Sequence, residues 1–590
     1  MRWIGRLLAL GLAVWCTCPL ASENGRPLRV DIQGVNGELL DNVHSYLSIA
    51  QYPPEGETVD EEVLRRLHAR APGEIRSALQ PFGYYSPEID ASLQREGSTW
   101  VATYRIRPGE PVTISEVDIN LQGPGREDAA LLRARDAINL SRGQILHHAA
   151  YANAKQRLLE TAASRGYLDA AFTRSRMLVD PAARRARILL TLDTGPQFYF
   201  GEITFEPTTV NDSLLRRYLR FSPGDPYSTS KLLNLQYALG DSPYFSSVTV
   251  DAPRQKADAE RRIPVTVETL ARPDSRYTLG LGYGTDTGPR LKLGWEDRRV
   301  NRRGHHFAAE MSFSSIKRSI NARYFVPLAD PATEQLIYSA ADTEEDFGDG
   351  KSRKLQLGIS QVQLVGRWQQ VFYTLYERER NDLSVVTASD QVLVPGLSRL
   401  IIPGVSYSMT EADNPTLPRR GYSISADLRG SWTRLYSDAS FLRADLSARF
   451  AYPLGESSRL LMRGEVGASK VPAFQDLPLS QRFYAGGDTS VRGFAYNSLG
   501  PTDDLGRVIG GRNLLVGSVE LDHQFVGNWG AAVFFDAGNA MNSFSTPLER
   551  AAGIGLRYRT PVGMLRLDLA HPVAGSQGGY RIHLSIGPDL

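Results

Sequence analysis

Residues 481–500, QRFYAGGDTSVRGFAYNSLG, decide how the rest of the chain is read. They lie in a long glycine-rich interval between two segments of alternating polarity. Connections of this length without regular structure are uncommon and are usually functional or disordered. Phe483, Tyr484, Val491, Phe494 and Tyr496 supply more apolar surface than a solvated linker carries, which argues against disorder. The expectation is a loop folded onto a wall, with Arg492 pinning it to acidic residues further along.

The wall must come from the flanking chain. At 590 residues the chain is too long for one core and should divide into domains. A mean hydropathy of -0.28 reads as a water-soluble protein. It is equally compatible with a transmembrane barrel, whose strands alternate apolar-out and polar-in. Arg2 and Arg6 flank an apolar run, Leu7 to Trp15, too short to span a bilayer, followed by Pro19-Leu20-Ala21-Ser22. Residues 1–22 therefore read as a secretory signal peptide cut after Ala21 or Ser22, a lipoprotein signal at Cys16 or Cys18 being the alternative. Both cysteines fall in that segment, so the mature chain is expected to use neither disulfides nor thiol ligands. The formal charge of +2 falls to near zero without Arg2 and Arg6, which gives no basic field for nucleic acid. No later window supplies the roughly 20 apolar residues of a membrane helix. Periplasm, exterior and outer membrane remain.

The N-terminal half repeats with a period of roughly 80 residues. Gly83-Tyr84-Tyr85, Gly166-Tyr167-Leu168 and Pro243-Tyr244-Phe245 each precede two alternating segments. Each unit opens with a strand, at Leu28 to Val35, Thr113 to Leu121 and Tyr199 to Glu206, and continues helically, as in Val59 to Leu79. Ser141-Arg142-Gly143-Gln144 and Ser222-Pro223-Gly224-Asp225 are expected to start helices of units two and three. The order strand, helix, helix, strand, strand resembles POTRA domains, placed at 27–110, 111–197 and 198–272. Such modules can bind clients by adding a strand to a sheet edge; plain spacers are the alternative.

From Ser275 to the end, 275–590, about 16 segments of roughly ten residues alternate in polarity. The fold class expected is α+β POTRA modules followed by an all-β, 16-stranded transmembrane barrel. The glycine-rich stretch then becomes the sixth outer loop, folded into the lumen. Alternation assigns faces. Val516, Ser518, Glu520 and Asp522 point inward on one strand, and Phe534, Asp536 and Gly538 on the next. Glu520 and Asp536 are thus the candidate partners of Arg492, whose planar guanidinium can engage two carboxylates.

Gly486 and Gly487 in Arg-Phe-Tyr-Ala-Gly-Gly, Val491, Gly493 and Phe494 in Val-Arg-Gly-Phe, Glu520, and Phe534 to Gly538 in Phe-Phe-Asp-Ala-Gly together resemble the outer-membrane assembly superfamily. That superfamily includes BamA, the mitochondrial sorting component and the two-partner secretion transporters. The resemblance implies that Arg492 locks the loop against Glu520 and Asp536. Three modules before 16 strands, and the ending Ile586-Gly587-Pro588-Asp589-Leu590, are similar to the TamA branch, the outer-membrane subunits of the translocation and assembly module. This implies insertion or translocation of autotransporters and other barrel proteins, a TamB-like inner-membrane partner and a periplasmic location for the modules. Phospholipid transport and a two-partner-type secretion channel stay open as alternatives. Ile582, Leu584 and Ile586 stand where many final strands carry aromatics, so no client rule follows from a terminal aromatic.

Gly280, Gly282 and Gly284 share the lumen face of the first strand, leaving little to fix its register. The last strand, with Arg581, His583 and Ser585 inward, ends at Gly587 and Pro588, and proline cannot donate to a ladder. A lateral gate is expected where these strands pair, with glycines that merely relieve a bend as the alternative. Catalysis is not expected: no Gly-x-Ser-x-Gly, His-Glu-x-x-His or P-loop pattern occurs. Nor is a metal or cofactor, because His147-His148 and His305-His306 lack a third ligand at metal spacing.

Overall fold

The computed structural model describes residues 28–52, 59–97, 99–347, 349–382, 396–561, 563–574 and 579–587. The expected signal segment, Cys16, Cys18 and Pro588 to Leu590 lie outside them.

The first repeat contains β1 (Leu28–Gln33), α1 (Glu38–Tyr46), α2 (Glu61–Leu79), β2 (Glu88–Glu96) and β3 (Thr99–Arg107). Asp60 starts α2 by accepting from the amides of Glu62 and Val63, two donors a helix start leaves unpaired. Leu64, Ala71, Ile75, Ala78 and Leu79 of α2 are buried in a cluster with Ala102, Tyr104 and Ile106 of β3. β3 is central, parallel to β1 and antiparallel to β2. The second repeat, β4 (Thr113–Gln122), α3 (Ala129–Asp136), α4 (His148–Ser164), β5 (Ala171–Asp180) and β6 (Arg185–Asp193), gives the order β4-β6-β5. The third, β7 (Tyr199–Glu206), α5 (Asp212–Leu215), α6 (Thr229–Gly240), β8 (Phe245–Asp251) and β9 (Arg262–Ala271), gives β7-β9-β8.

One expectation fails in both later repeats. Ser141 to Gln144 and Ser222 to Asp225 are tight turns, not helix caps; α4 begins at His148 and α6 at Thr229. The turns serve strands instead: Gly143 N donates to Ile114 O, and Gly224 N to Phe200 O. A Ser-x-Gly pattern marks a turn as readily as a cap, because the glycine supplies the left-handed conformation, here φ +88° and +91°.

The chain folds into two compact units: one ends its first segment at Ile203 and includes Phe221–Leu232 and Ala252–Val265; the other comprises Thr204–Arg220, Leu233–Asp251 and Thr266–Leu590. The division passes through the third repeat, whose three strands nevertheless form one sheet. The reason lies in bonds within the second unit. Arg217 donates to Pro327 O and Leu328 O, Asn211 N to Arg302 O, and Tyr244 Oη to Gly304 O at 2.6 Å.

The second unit is dominated by an antiparallel sheet of 16 strands in sequence order. They are β10 (Ser275–Gly284), β11 (Gly288–Asp297), β12 (His306–Phe313), β13 (Lys317–Pro327), β14 (Glu334–Phe347), β15 (Gly350–Val365), β16 (Trp368–Asn381) and β17 (Leu397–Ala412), then β18 (Gly421–Ser431), β19 (Phe441–Leu454), β20 (Ser458–Lys470), β21 (Asn513–Val526), β22 (Trp529–Met541), β23 (Glu549–Thr560), β24 (Gly563–Ala574) and β25 (Arg581–Gly587). The sheet curls into a nearly closed barrel. Tyr277, Leu279, Leu281, Val519, Val533 and Phe535 are exposed outside, while Val516, Ser518, Glu520, Phe534 and Asp536 are buried inside. No helix among the described residues is long and apolar enough to cross a membrane. The 16 residues of β15 and of β17 exceed the expected ten because pairing continues into charged ends, whereas β25 has only 7.

The repeat glycines have a definite task in the first unit. Gly166 has φ +86°, and an added Cβ would lie 2.5 Å from Phe198 O, which excludes any side chain. Gly166→Ala should therefore cost about 1–3 kcal/mol locally. Hydrogen exchange of the full chain would show this as faster exchange at the Phe198 and Tyr227 amides than in wild type.

Candidate functional site

The loop between β20 and β21 is built around its own backbone. Phe483 pairs with Gly511, Ala485 with Leu499 and Thr502 with Val508 in isolated bridges. Arg482 ties its base together by donating to Leu477 O, Ile509 O and Phe474 O. Gly486, Gly487 and Gly493 sit at φ +100°, +108° and +93°, conformations open to glycine at little cost. Val491 and Phe494 are buried with Phe483, Leu514, Val516 and Ala551 in one apolar cluster. The loop is thus a folded object with a core of its own.

At its tip, all five N–H donors of Arg492 are used. Nε and Nη2 grip Asp536 at 2.8 and 2.9 Å; Nη1 donates to Glu520 at 2.6 Å and Asp568 at 3.1 Å; Nη2 also reaches Ser518 Oγ at 3.3 Å. The Arg492 backbone amide adds a bond to Asp536 at 3.0 Å, and the guanidinium lies 3.4 Å from the centre of the Phe534 ring. Arg557 on β23 balances the remaining charge by donating to Glu520 and Asp568. A buried ion pair must have every donor and acceptor met, and this cluster comes close to that condition.

Small residues make room for the loop. Opposite Phe534 on β23 is Gly553, where an added Cβ would lie 2.2 Å from the Phe534 ring. Gly467 on β20 plays the same part for Phe483, over which Arg443 lies at 3.9 Å. A cavity of about 140 Å³ lies beside Arg492, lined by Arg449, Arg463, Asp568 and Ser585 among others. It has room for a few waters rather than for a polypeptide.

The structure brings Arg492, Glu520 and Asp536 together, with Phe534 under the guanidinium and Gly538 buried two residues on. Gly538 is tight for a different reason: an added Cβ would sit 2.8 Å from Leu515 O. Arg557, Asp568 and Ser518 belong to the same cluster and were not among the expected site residues. The alternation that placed Glu520 and Asp536 inward places Arg557 and Asp568 inward too, had it been carried into β23 and β24.

Gly280, Gly282 and Gly284 line the inner face of β10, and Ile582 and Ile586 face outward on β25, with Leu584 half-buried between them. Gly587 closes β25. The expected pairing of first and last strands takes a different form. Among the described residues β10 and β25 share no ladder; Thr285 N donates to Leu584 O at 3.3 Å and Leu584 N to Thr285 Oγ1 at 2.9 Å. Beside these bonds the loop enters the seam. His583 accepts at Nε2 from Gly493 N at 2.9 Å and meets Asp488 through Nδ1, while Asp488 N donates to Asp286. Asp286, Asp488 and His583 offer ligand atoms within 4.8 Å of one another. Because Gly493 N–H can only donate, however, Nε2 is the bare nitrogen, Nδ1 carries the proton, and the seated loop leaves no lone pair there for a cation.

With this geometry in place, comparison with known proteins is informative. Residues 300–589 match the Omp85 superfamily domain, residues 29–108 a TamA-type first POTRA domain, and residues 198–269 a POTRA model described as a surface antigen variable number repeat. The chain therefore carries an Omp85 superfamily domain preceded by POTRA domains, the make-up of an outer-membrane β-barrel protein. It is 22% identical over 398 residues to the outer membrane protein assembly factor BamA of Nitratidesulfovibrio vulgaris, covering 64% of this chain and 49% of that protein. A 262-residue stretch is 36% identical to the sorting and assembly machinery component 50 homolog of Mus musculus, covering 43% of this chain and 54% of that protein. The chain spans about half the length of these curated relatives. Its fold is similar to BamA from Haemophilus ducreyi lacking POTRA domains 1-3, with a TM-score of 0.63 at 17% identity over 80% of this chain and 99% of that one.

Arg492→Ala leaves three buried carboxylates short of a cation and should destabilise the barrel by about 3–5 kcal/mol. Arg492→Lys, with a point charge in place of a fork, should recover only part of this. Thermal unfolding in detergent micelles checks both. A pH effect follows from Asp286, in the turn after β10, whose carboxyl is raised to about 6 by burial and then by the Asp488 carboxylate. A carboxyl raised in the folded state stabilises at low pH and loses that contribution as pH rises through about 6. The wild-type unfolding temperature should fall more between pH 5 and 7 than that of Asp286→Asn.

Proposed function

We propose that this protein is an outer-membrane assembly factor that helps insert or translocate autotransporters and other β-barrel clients through a lateral gate between β10 and β25. The observation that carries this reading is the seam. Among the described residues the end strands of this 16-stranded barrel share two bonds in place of a ladder, and a strand edge with unpaired backbone groups is the template to which another strand adds. One glycine of β10 supports it, Gly282, whereas at Gly284 a side chain would crowd Arg290 and Thr287 and at Gly280 it would press on Lys292. Gly282 has φ outside the left-handed region, and an added Cβ would meet Arg290 only at 3.9 Å, ordinary contact. Space does not demand glycine there, so relief of crowding is a poor account of it, and weak register is a better one.

The POTRA domains project into the periplasm and receive a TamB-like partner anchored in the inner membrane. The match of residues 29–108 to a TamA-type first POTRA domain supports this branch over a BamA-like one. Outer-membrane lipid is the medium into which clients are released, and a contribution to phospholipid delivery is the second role of such a bridge. A two-partner-type secretion channel stays as the alternative, because the barrel and the arginine lock would look alike in both.

Cells carrying a disulfide between β10 and β25 should assemble clients poorly until a reductant is added. Undiminished assembly with the seam fully cross-linked would overturn the gate, and a large steady conductance with unaltered assembly on depletion would favour the channel. Arg492→Glu should impair assembly, and Asp536→Arg in the same chain should restore part of it.

A further inference from the structure

Among the described residues, the bonds that close the seam run through the inserted loop more than from strand to strand. Thr285 and Asp286, in the turn after β10, hold Asp488: Thr285 Oγ1 donates to Asp488 Oδ1 at 3.2 Å, and Asp286 accepts from Asp488 N. Asp488 accepts from His583 Nδ1, and His583 Nε2 accepts from Gly493 N. His583 is 2% exposed and lies on β25 directly across from Asp568, itself a partner of Arg492. First-strand turn, loop and last strand therefore share one hydrogen-bond chain that touches the arginine cluster at both Gly493 and Asp568.

Every link of the chain has a fixed direction. Gly493 N–H must donate, so Nε2 accepts; Nδ1 then donates, and Asp488 must be the acceptor. With the loop withdrawn, His583 and Asp286 would lose their partners in a buried place, and buried polar groups left unpaired are costly. The two conditions, loop seated and seam shut, thus stabilise one another.

We infer that His583 and Asp488 are positioning residues that couple the arginine lock to the lateral seam, so that release of the loop and opening of the seam are one transition. The coupling rests on the gate proposed above, but it is a property of the barrel alone. The loop acts as the latch of the seam as well as the plug of the lumen. Neither His583→Ala nor Arg492→Ala removes a strand contact between β10 and β25, yet each opens the seam.

The test uses the full chain in lipid nanodiscs without client, with Cys16 and Cys18 changed to Ser and new cysteines at Tyr283 and Ile586. Both positions face outward on the strands that flank the Thr285–Leu584 contact. The initial rate of oxidative cross-linking reports how often the seam is shut. Arg492→Ala and His583→Ala should each lower the rate about fivefold, as for members of one network, and the double variant should fall no further. His583→Gln, whose side-chain oxygen can still accept from Gly493 N, should regain most of the rate, a rescue that a purely space-filling role would not give. Multiplying effects in the double variant, or an unchanged rate in His583→Ala, would overturn the coupling. Heat-modifiable mobility identifies variants that have not formed a barrel, and Asp488→Ala, which leaves the Thr285–Leu584 bonds in place, then supplies the same test from the loop. Because no client is present, coupling stands or falls independently of whether clients pass through the gate.

Discussion

A buried guanidinium tolerates no half-measures. Five donors removed from water must each find an acceptor, and the acceptors must themselves be balanced, or the charge costs more than it returns. Arg492 meets this condition with Asp536, Glu520, Asp568 and Ser518, drawn from β21, β22 and β24. The pairing of β21 with β22, the inward faces of those strands and the left-handed glycines of the loop place donor and acceptors within reach of one another. Arg557 completes the arrangement by giving Glu520 and Asp568 a second cation.

The same economy shapes the seam. A full ladder between β10 and β25 would close the barrel with backbone alone, and it would be indifferent to what fills the lumen. Closing it through Thr285, Asp488 and His583 makes the wall responsive to its contents. Under the proposed function this matters, because strand edges exposed without control invite unwanted pairing. The short β25 and glycine-lined β10 keep the strand contribution small, and the loop supplies the rest.

The barrel was legible in the sequence because its signal is periodic: each strand alternates, and outward Val519, Leu521, Val533 and Phe535 leave Glu520 and Asp536 only one place to go. The arginine cluster was legible in part for the same reason. What escaped was whatever depends on register between distant strands. Nothing in the spacing of Asp286, Asp488 and His583 announces that they meet, since each belongs to a different piece of the seam. The helix starts near Ser141 and Ser222 were misread because cap and turn share residue preferences, and only the bonds to Ile114 and Phe200 distinguish them. The fusion of part of the third repeat with the barrel unit depends on carbonyls of barrel turns, which carry no sequence signature at all.

The order of the cluster along the chain has a consequence for how the molecule is made. Arg492 is synthesised before every acceptor it uses, the last being Asp568, 76 positions later. Until β21 to β24 have paired, the loop is a charged, aromatic-rich segment without a home, and its Phe494 and Val491 have no cluster to join. The recess that receives it exists only when those four strands stand side by side. Docking of the loop therefore has to follow the placing of those strands, and a barrel truncated or misaligned near its end offers Arg492 no complete set of acceptors.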